Sequence, residues 1–121
     1  MKLNNQDTGK RGETLAVDFL KKSKYKIIEQ NFRSRWGEID IIGYNDKTIC
    51  FIEVKTRTNT DFGRPEESVT RSKQQQVIRT ARYYLKRKKI PENIPCRFDV
   101  VSVILKAVSP EINLIKNAFI L

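Results

Sequence analysis

Apolar residues recur along this chain at two different periods. Leu15, Ala16, Phe19 and Leu20 form a stripe at helical spacing, which predicts a first helix from about Asp7 to Ser23. Three short apolar segments follow and read as strands: Tyr25 to Phe32, Glu38 to Tyr44 and Thr48 to Thr56. Asn45-Asp46-Lys47 is a turn signal, so the last two should pair as an antiparallel hairpin. After a polar stretch from Arg57 to Arg64, Pro65 suits the first turn of a helical region. Val77, Ile78, Ala81, Tyr84 and Leu85 mark the buried face of a second helix over about Arg71 to Lys88. Pro91 and Pro95 close that region. Arg97 to Lys106 is a β-branched strand, and Ser109-Pro110 turns the chain into a last strand from Ile112 to Ile120. The predicted order is αβββαββ, an α/β fold with a mixed sheet and helices packed on it.

Length and composition narrow the chemistry. The 121 residues suit one domain spanning 1–121, and 39% apolar residues suffice for one layered core. No apolar run reaches the roughly 20 residues needed to span a bilayer, and the start, Met1 to Asp7, is polar. A cytoplasmic location without membrane contact is the expectation. The chain has no His, which excludes Ser-His-Asp and Cys-His catalysis and His-ligated zinc. Its two cysteines, Cys50 and Cys96, are too few for a thiolate zinc site and read as reduced core thiols. Metal chemistry, if present, needs carboxylates and a Mg²⁺ or Mn²⁺ ion. Against 14 acidic residues stand 24 basic ones, a net charge of +10, and that excess suggests a polyanionic partner such as nucleic acid.

The hairpin carries the candidate chemistry. By strand alternation Glu38, Asp40, Ile42 and Tyr44 share one face, as do Phe51, Glu53, Lys55 and Arg57. Two registers are open. If Tyr44 opposes Thr48, Asp40 meets Ile52. In the other, Ile42 meets Phe51, Asp40 meets Glu53 and Glu38 meets Lys55. The second is favoured by its apolar cross-strand pair. It brings the Asp40 and Glu53 β-carbons to about 4.5–5.5 Å, where like charges repel. A raised carboxylate pKa or a bound divalent cation relieves that repulsion. Lys55 then stands close enough to neutralise charge developing on a phosphate. The alternative is an ordinary charged, exposed hairpin face. Against it, Glu53-Val54-Lys55 lies inside an apolar run and is the chain's only acid-x-Lys triplet.

Glu13 is the third candidate carboxylate. It lies in line with Ala16 and Leu20 at the edge of the first helix's apolar stripe, near Gly9 and Gly12. It either contributes to a metal site or simply satisfies donors of the first helical turn.

Two basic surfaces flank these acids. From Arg71 to Lys89 there are eight basic residues and no acidic one, with Arg79, Arg82 and Lys86 opposite the apolar stripe. Such a ridge can contact successive phosphates. Arg33-Ser34-Arg35-Trp36 leads into the Glu38/Asp40 strand. There the arginines would grip phosphates, and Trp36 would either stack an unpaired base or pack on the core. Arg57 opens a loop read as a flap over the substrate or a plain connector. Lys73 belongs to the basic helix. Arg97 and Asp99, on one face of an apolar strand, are expected to form a structural pair.

Together, Gly37-Glu38-Ile39-Asp40 and Phe51-Ile52-Glu53-Val54-Lys55-Thr56-Arg57 resemble the PD-(D/E)xK nuclease signature. The likeness is closest to the YraN-like, or UPF0102, family of small bacterial proteins and covers nearly the whole chain. It includes Gly9-x-x-Gly12-Glu13, Asn31-x-Arg33, Lys73, Tyr84-Leu85 and Arg97-Phe98-Asp99-Val100-Val101. Ile39 stands where the superfamily's name has proline, as is usual for the YraN group. The resemblance implies a restriction-endonuclease-like fold akin to archaeal Holliday-junction resolvases. It implies Asp40 and Glu53 as metal carboxylates, Lys55 as catalytic lysine and Glu13 as the helix glutamate. It also implies a Mg²⁺- or Mn²⁺-dependent endonuclease on DNA, branched or flapped, working as a homodimer by analogy with resolvases. The competing readings are a non-catalytic nucleic-acid-binding module with the same fold, and an adaptor that binds acidic proteins through the basic helix.

Overall fold

The computed structural model describes residues 5–58, 69–106 and 108–119. Helix α1 (Asn5–Lys22) leads into strands β1 (Lys26–Ser34), β2 (Gly37–Asn45) and β3 (Thr48–Arg57). Helix α2 (Arg71–Arg87) and strands β4 (Cys96–Ile104) and β5 (Glu111–Phe119) complete the order αβββαββ. The helical turn expected at Pro65 and the flap from residue 59 to Arg64 lie outside the described residues.

The five strands lie in sequence order across one sheet. Neighbours are antiparallel except β3 and β4, which run parallel. A parallel pair needs a long crossover, and α2 sits on it. The two helices cover opposite faces. Ala16, Val17 and Leu20 of α1 pack on Ile41, Cys50, Ile52, Val101 and Val103. Val77, Ala81 and Tyr84 of α2 pack on Ile42, Phe51, Phe98 and Val100. The central strands are therefore apolar on both sides, and β4 is buried over seven consecutive residues. No helix among the described residues is long and apolar enough to cross a membrane.

Hairpin β2–β3 turns on Asp46 (φ 52°) and Lys47 (φ 60°). Two successive positive φ angles give the turn type whose twist matches the flanking strands. Asn45 thus pairs with Thr48 and Ile42 with Phe51, the register favoured from the apolar pair. Strict alternation fails near Asp40, however. Ile39 packs with Ile42 in the α2 core, whereas Ile41 packs in the α1 core. The expectation that Glu38, Asp40 and Ile42 share one face is corrected accordingly. On the neighbouring strand β1, Gln30 pairs with Ile41 and Phe32 with Ile39. Between them Asn31, at φ 54°, leaves the extended conformation opposite Asp40.

Asp99 is the most deeply buried charge near the sheet's centre, fully enclosed in β4. Arg97 donates to both of its oxygens at 3.0 and 3.1 Å, and also to Tyr25 Oη and Asn45 Oδ1. The N–H of Asn117, freed by a bulge in β5, donates to Asp99 Oδ1 at 2.9 Å. The expected Arg97–Asp99 pair is thus a structural network. Both cysteines are free thiols, and burial pushes the Cys50 thiol up to about 12.

Candidate active site

The acids meet where β2 and β3 part. The last Cα pair of that ladder is Ile41 with Ile52. Beyond it the Asp40 carboxylate takes the place of a backbone acceptor, and the Val54 N–H donates to Asp40 Oδ2 at 2.8 Å. Burial raises the Asp40 pKa, and the Val54 hydrogen bond opposes the rise.

Glu53, only 3% exposed, sits deeper. Its Oε2 lies 3.8 Å from Lys73 Nζ, and its buried Oε1 has no hydrogen-bond partner among the described residues. Burial first, and the Asp40 charge second, push Glu53 up to about 8. The repulsion anticipated from the register is therefore present. Lys73 answers part of it. Thr70 caps α2 by accepting from the Lys73 N–H at 3.2 Å, which fixes Lys73 in the first turn. No acid occupies that turn, so a cation there opposes the helix dipole unless a carboxylate from elsewhere faces it. Glu53 supplies that carboxylate.

Glu13 approaches from α1. Its carboxyl is hydrogen-bonded to the Asn31 side chain, while Oε1 is buried without a partner. Burial raises its pKa, and the charges of Asp40 and Glu38 add to the rise. Gly12 makes this approach possible. A β-carbon at Gly12 would fall 1.8 Å from Thr56 Oγ1, so only glycine lets α1 lie this close to β3. Glu13, Asp40 and Lys55 then line one cavity of about 390 Å³ with Thr8, Gly9, Val54 and Thr56. Glu53 does not line it but couples to it through Asp40.

Among the described residues no three acids converge as a ready-made metal cage. A Mg²⁺-type ion does not require one, since it is usually held by one or two carboxylates and retains several waters. The donor set fits such an ion: hard oxygens only, two of them buried and unpartnered, with raised carboxyl pKa values. Glu38, considered as a partner of Lys55, instead pairs with Arg33 at 3.2 Å.

The profile of the Uncharacterised protein family UPF0102 matches residues 12–103. The chain belongs to the UPF0102 family. A UPF0102 protein of Koribacter versatilis is 48% identical over 116 residues, covering 94% of this chain and 80% of that one. One from Caldicellulosiruptor saccharolyticus is 46% identical over 119 residues, covering 97% and 100%. One from Geobacter metallireducens is 45% identical over 119 residues, covering 98% and 97%. The matched span of this UPF0102 chain runs from Gly12, at the α1–β3 contact, through Glu13, the hairpin and α2 to Val103.

The basic residues of the UPF0102 chain divide into two groups. Lys73 belongs to the acid site, a role its sequence position did not reveal beyond the acid-free helix start. Arg79, Arg82 and Lys86 lie exposed on α2 as the periodicity predicts. The β1–β2 turn is fastened beside them. Ser34 Oγ and Thr80 Oγ1 share a 2.9 Å hydrogen bond, and Trp36 meets the Tyr83 ring edge-on at 5.9 Å. Arg35 lies over the indole at 5.0 Å. Arg57 ends β3, where its carbonyl accepts from Leu105 N–H at 2.7 Å. Tyr83 is the residue that sequence reasoning missed. It flanks the helix's buried stripe, and its place under Trp36 depends on the turn docking.

Proposed function

We propose that this UPF0102 chain is a divalent-metal-dependent endonuclease that hydrolyses phosphodiester bonds in DNA, with branched or flapped DNA as its substrate class. The observation that carries this reading is the mutually repelling pair of half-buried Asp40 and buried Glu53 beside Lys55, with the unpartnered oxygens of Glu53 and Glu13. Burying such a set is costly unless a cation compensates it. A basic helix next to this acidic spot is the charge arrangement that a polyanionic substrate of the same reaction needs.

In this reading Asp40 and Glu53 would hold Mg²⁺ or Mn²⁺, and Glu13 would contribute to the same site. The bound ion supplies charge neutralisation at the scissile phosphate and a more acidic water. The Lys55 ammonium orients the attacking water or stabilises charge on the phosphate oxygens. The Val54 N–H holds one oxygen of the Asp40 carboxylate, which lines the cavity. Lys73 is the counter-ion of Glu53 without metal and would yield that oxygen to the ion. Cutting both strands of a junction calls for two such centres, hence a homodimer, which sedimentation of the free protein tests.

The experiment is cleavage of linear, flapped and four-way DNA with Mg²⁺ or Mn²⁺. Cleavage by the wild type, lost in Glu53→Ala and Lys55→Ala, is the expected result. Equal cleavage by all three proteins overturns it. One observation favours a second reading, a nucleic-acid-binding module without turnover: a protein cation, Lys73, already faces Glu53 at 3.8 Å. That reading predicts DNA binding without cleavage under either metal.

A further inference from the structure

The β1–β2 turn and α2 enclose a hollow that is separate from the acid cavity. It has a volume of about 580 Å³ and is lined by Trp36, Tyr83, Arg79, Arg82 and Lys86. Its character is mixed in a specific way. The floor is aromatic, with Trp36 and Tyr83 half-buried, while the rim is three exposed cations. Two further arginines reinforce it, Arg35 over the Trp36 ring and Arg87 over the Tyr83 ring at 5.9 Å. No acid occurs from Arg71 to Lys89 to neutralise the rim.

The floor is also held rigidly. Ser34 is bonded to Thr80. Phe32 packs against both Tyr83 and Tyr84, at 6.1 and 5.1 Å. Gly37 (φ 154°) follows Trp36 directly and brings the strand against α2, where an added β-carbon would stand 3.5 Å from Gln76. A rigid aromatic platform loses little entropy when a planar ligand stacks on it, and cations at its rim suit phosphates on either side of that ligand.

We infer that this hollow binds an unpaired nucleobase of a single-stranded DNA segment, with Trp36 and Tyr83 as the stacking surface and Arg79, Arg82 and Lys86 on the flanking phosphates. A duplex does not fit the role, because its bases have no free faces. Base–aromatic stacking of this kind is tolerant of sequence. Trp36 stands four residue steps before Asp40 along the chain, about 13 Å at the usual strand rise. A second hollow of about 530 Å³ shares Arg82 and Lys86 and continues along α2 to Lys89. A strand whose base is stacked there therefore has a path onward along α2. This inference deepens the DNA reading above and rests on it, by giving the substrate a single-stranded arm.

Trp36 is the only tryptophan, so the chain carries its own probe. The full chain in EDTA, which prevents cleavage, is titrated with a 12-nucleotide oligothymidylate, an abasic strand of equal length, a blunt duplex and poly-glutamate. The oligothymidylate is expected to quench Trp36 fluorescence and to bind more tightly than the abasic strand. Trp36→Ala and Tyr83→Ala should each weaken oligothymidylate binding by roughly tenfold. Trp36→Phe should stay within about threefold of wild type, which separates loss of stacking from loss of fold. Arg82→Ala should flatten the salt dependence, and Trp36→Ala should not. Equal affinity for the abasic strand, undiminished binding by Trp36→Ala, or equal quenching by the duplex or poly-glutamate overturns the inference. None of these outcomes bears on metal-dependent cleavage, so the two readings fail separately.

Discussion

Lys73 Nζ lies 3.8 Å from Glu53 Oε2, joining the first turn of α2 to the middle of β3. The residues are 20 positions apart, and the pair forms only when the helix has docked on the sheet. Glu53 keeps a raised pKa despite this cation, because burial and Asp40 outweigh it. The pH dependence of stability follows. In the unfolded chain the Glu53 carboxyl loses its proton near the ordinary 4.5, and in the folded chain near 8. Between those values the folded state binds more protons at Glu53, so this group's contribution to stability is fully present below about 4.5 and is lost as pH rises through about 8. Urea midpoints of the metal-free wild type should decline over this window by more than those of Glu53→Gln. The difference is on the order of a few kcal/mol. Parallel pH profiles would contradict the assignment.

The Gly12–Thr56 approach gives a prediction with opposite signs at two nearby glycines. Alanine is normally favoured over glycine inside a helix by about 1 kcal/mol. Gly9 has open space around it, so Gly9→Ala should stabilise the chain. Gly12→Ala should destabilise it by about 1–3 kcal/mol, since the new methyl group would overlap Thr56. Thr56→Ala in the Gly12→Ala background should recover part of the loss. Denaturant midpoints of the four proteins decide the matter.

Lys55 is expected to act on the transition state and not on binding. Lys55→Met should lower the cleavage rate by about 10²- to 10³-fold while DNA affinity changes only a few-fold. Single-turnover rates measured beside equilibrium binding separate the two. A matching loss in both would move Lys55 to the binding surface.

The Asp99 network should be a matter of folding alone. Asp99→Ala leaves the half-buried Arg97 without its carboxylate and frees the Asn117 N–H, at a cost of about 1–3 kcal/mol. Calorimetry should show a much lower Tm. At a temperature where the variant remains folded, its metal-dependent cleavage should match the wild type.

Much of the fold was legible because each element has a pattern of its own. The stripes at Leu15–Leu20 and Val77–Leu85 specify two helices, and the Ile42–Phe51 pair specifies the hairpin register. The site was legible as far as it is built on that hairpin. What escaped depends on tertiary contacts. Alternation breaks near Asp40, opposite an Asn31 whose positive φ angle nothing nearby announces. Arg33 takes Glu38 along its own hairpin, although strand pairing alone had suggested Lys55. Lys73 reads as one more cation of a basic helix until α2 is placed over Glu53. Tyr83 gains its role only once Trp36 lies against it.

The parallel pairing of β3 with β4 has a consequence for how the molecule assembles. Asp40, Glu53 and Glu13 all belong to the first 57 residues, whose strands pair as successive hairpins. Such local pairings close short loops and tend to form early. Joining β3 to β4 closes a loop of about 40 residues, a slower event. Only then does Lys73 reach Glu53 and Tyr83 reach Trp36. The acid cluster and its cationic surroundings are thus made at different times. A nascent chain released before α2 would carry the carboxylates in open water, without Lys73 beside Glu53.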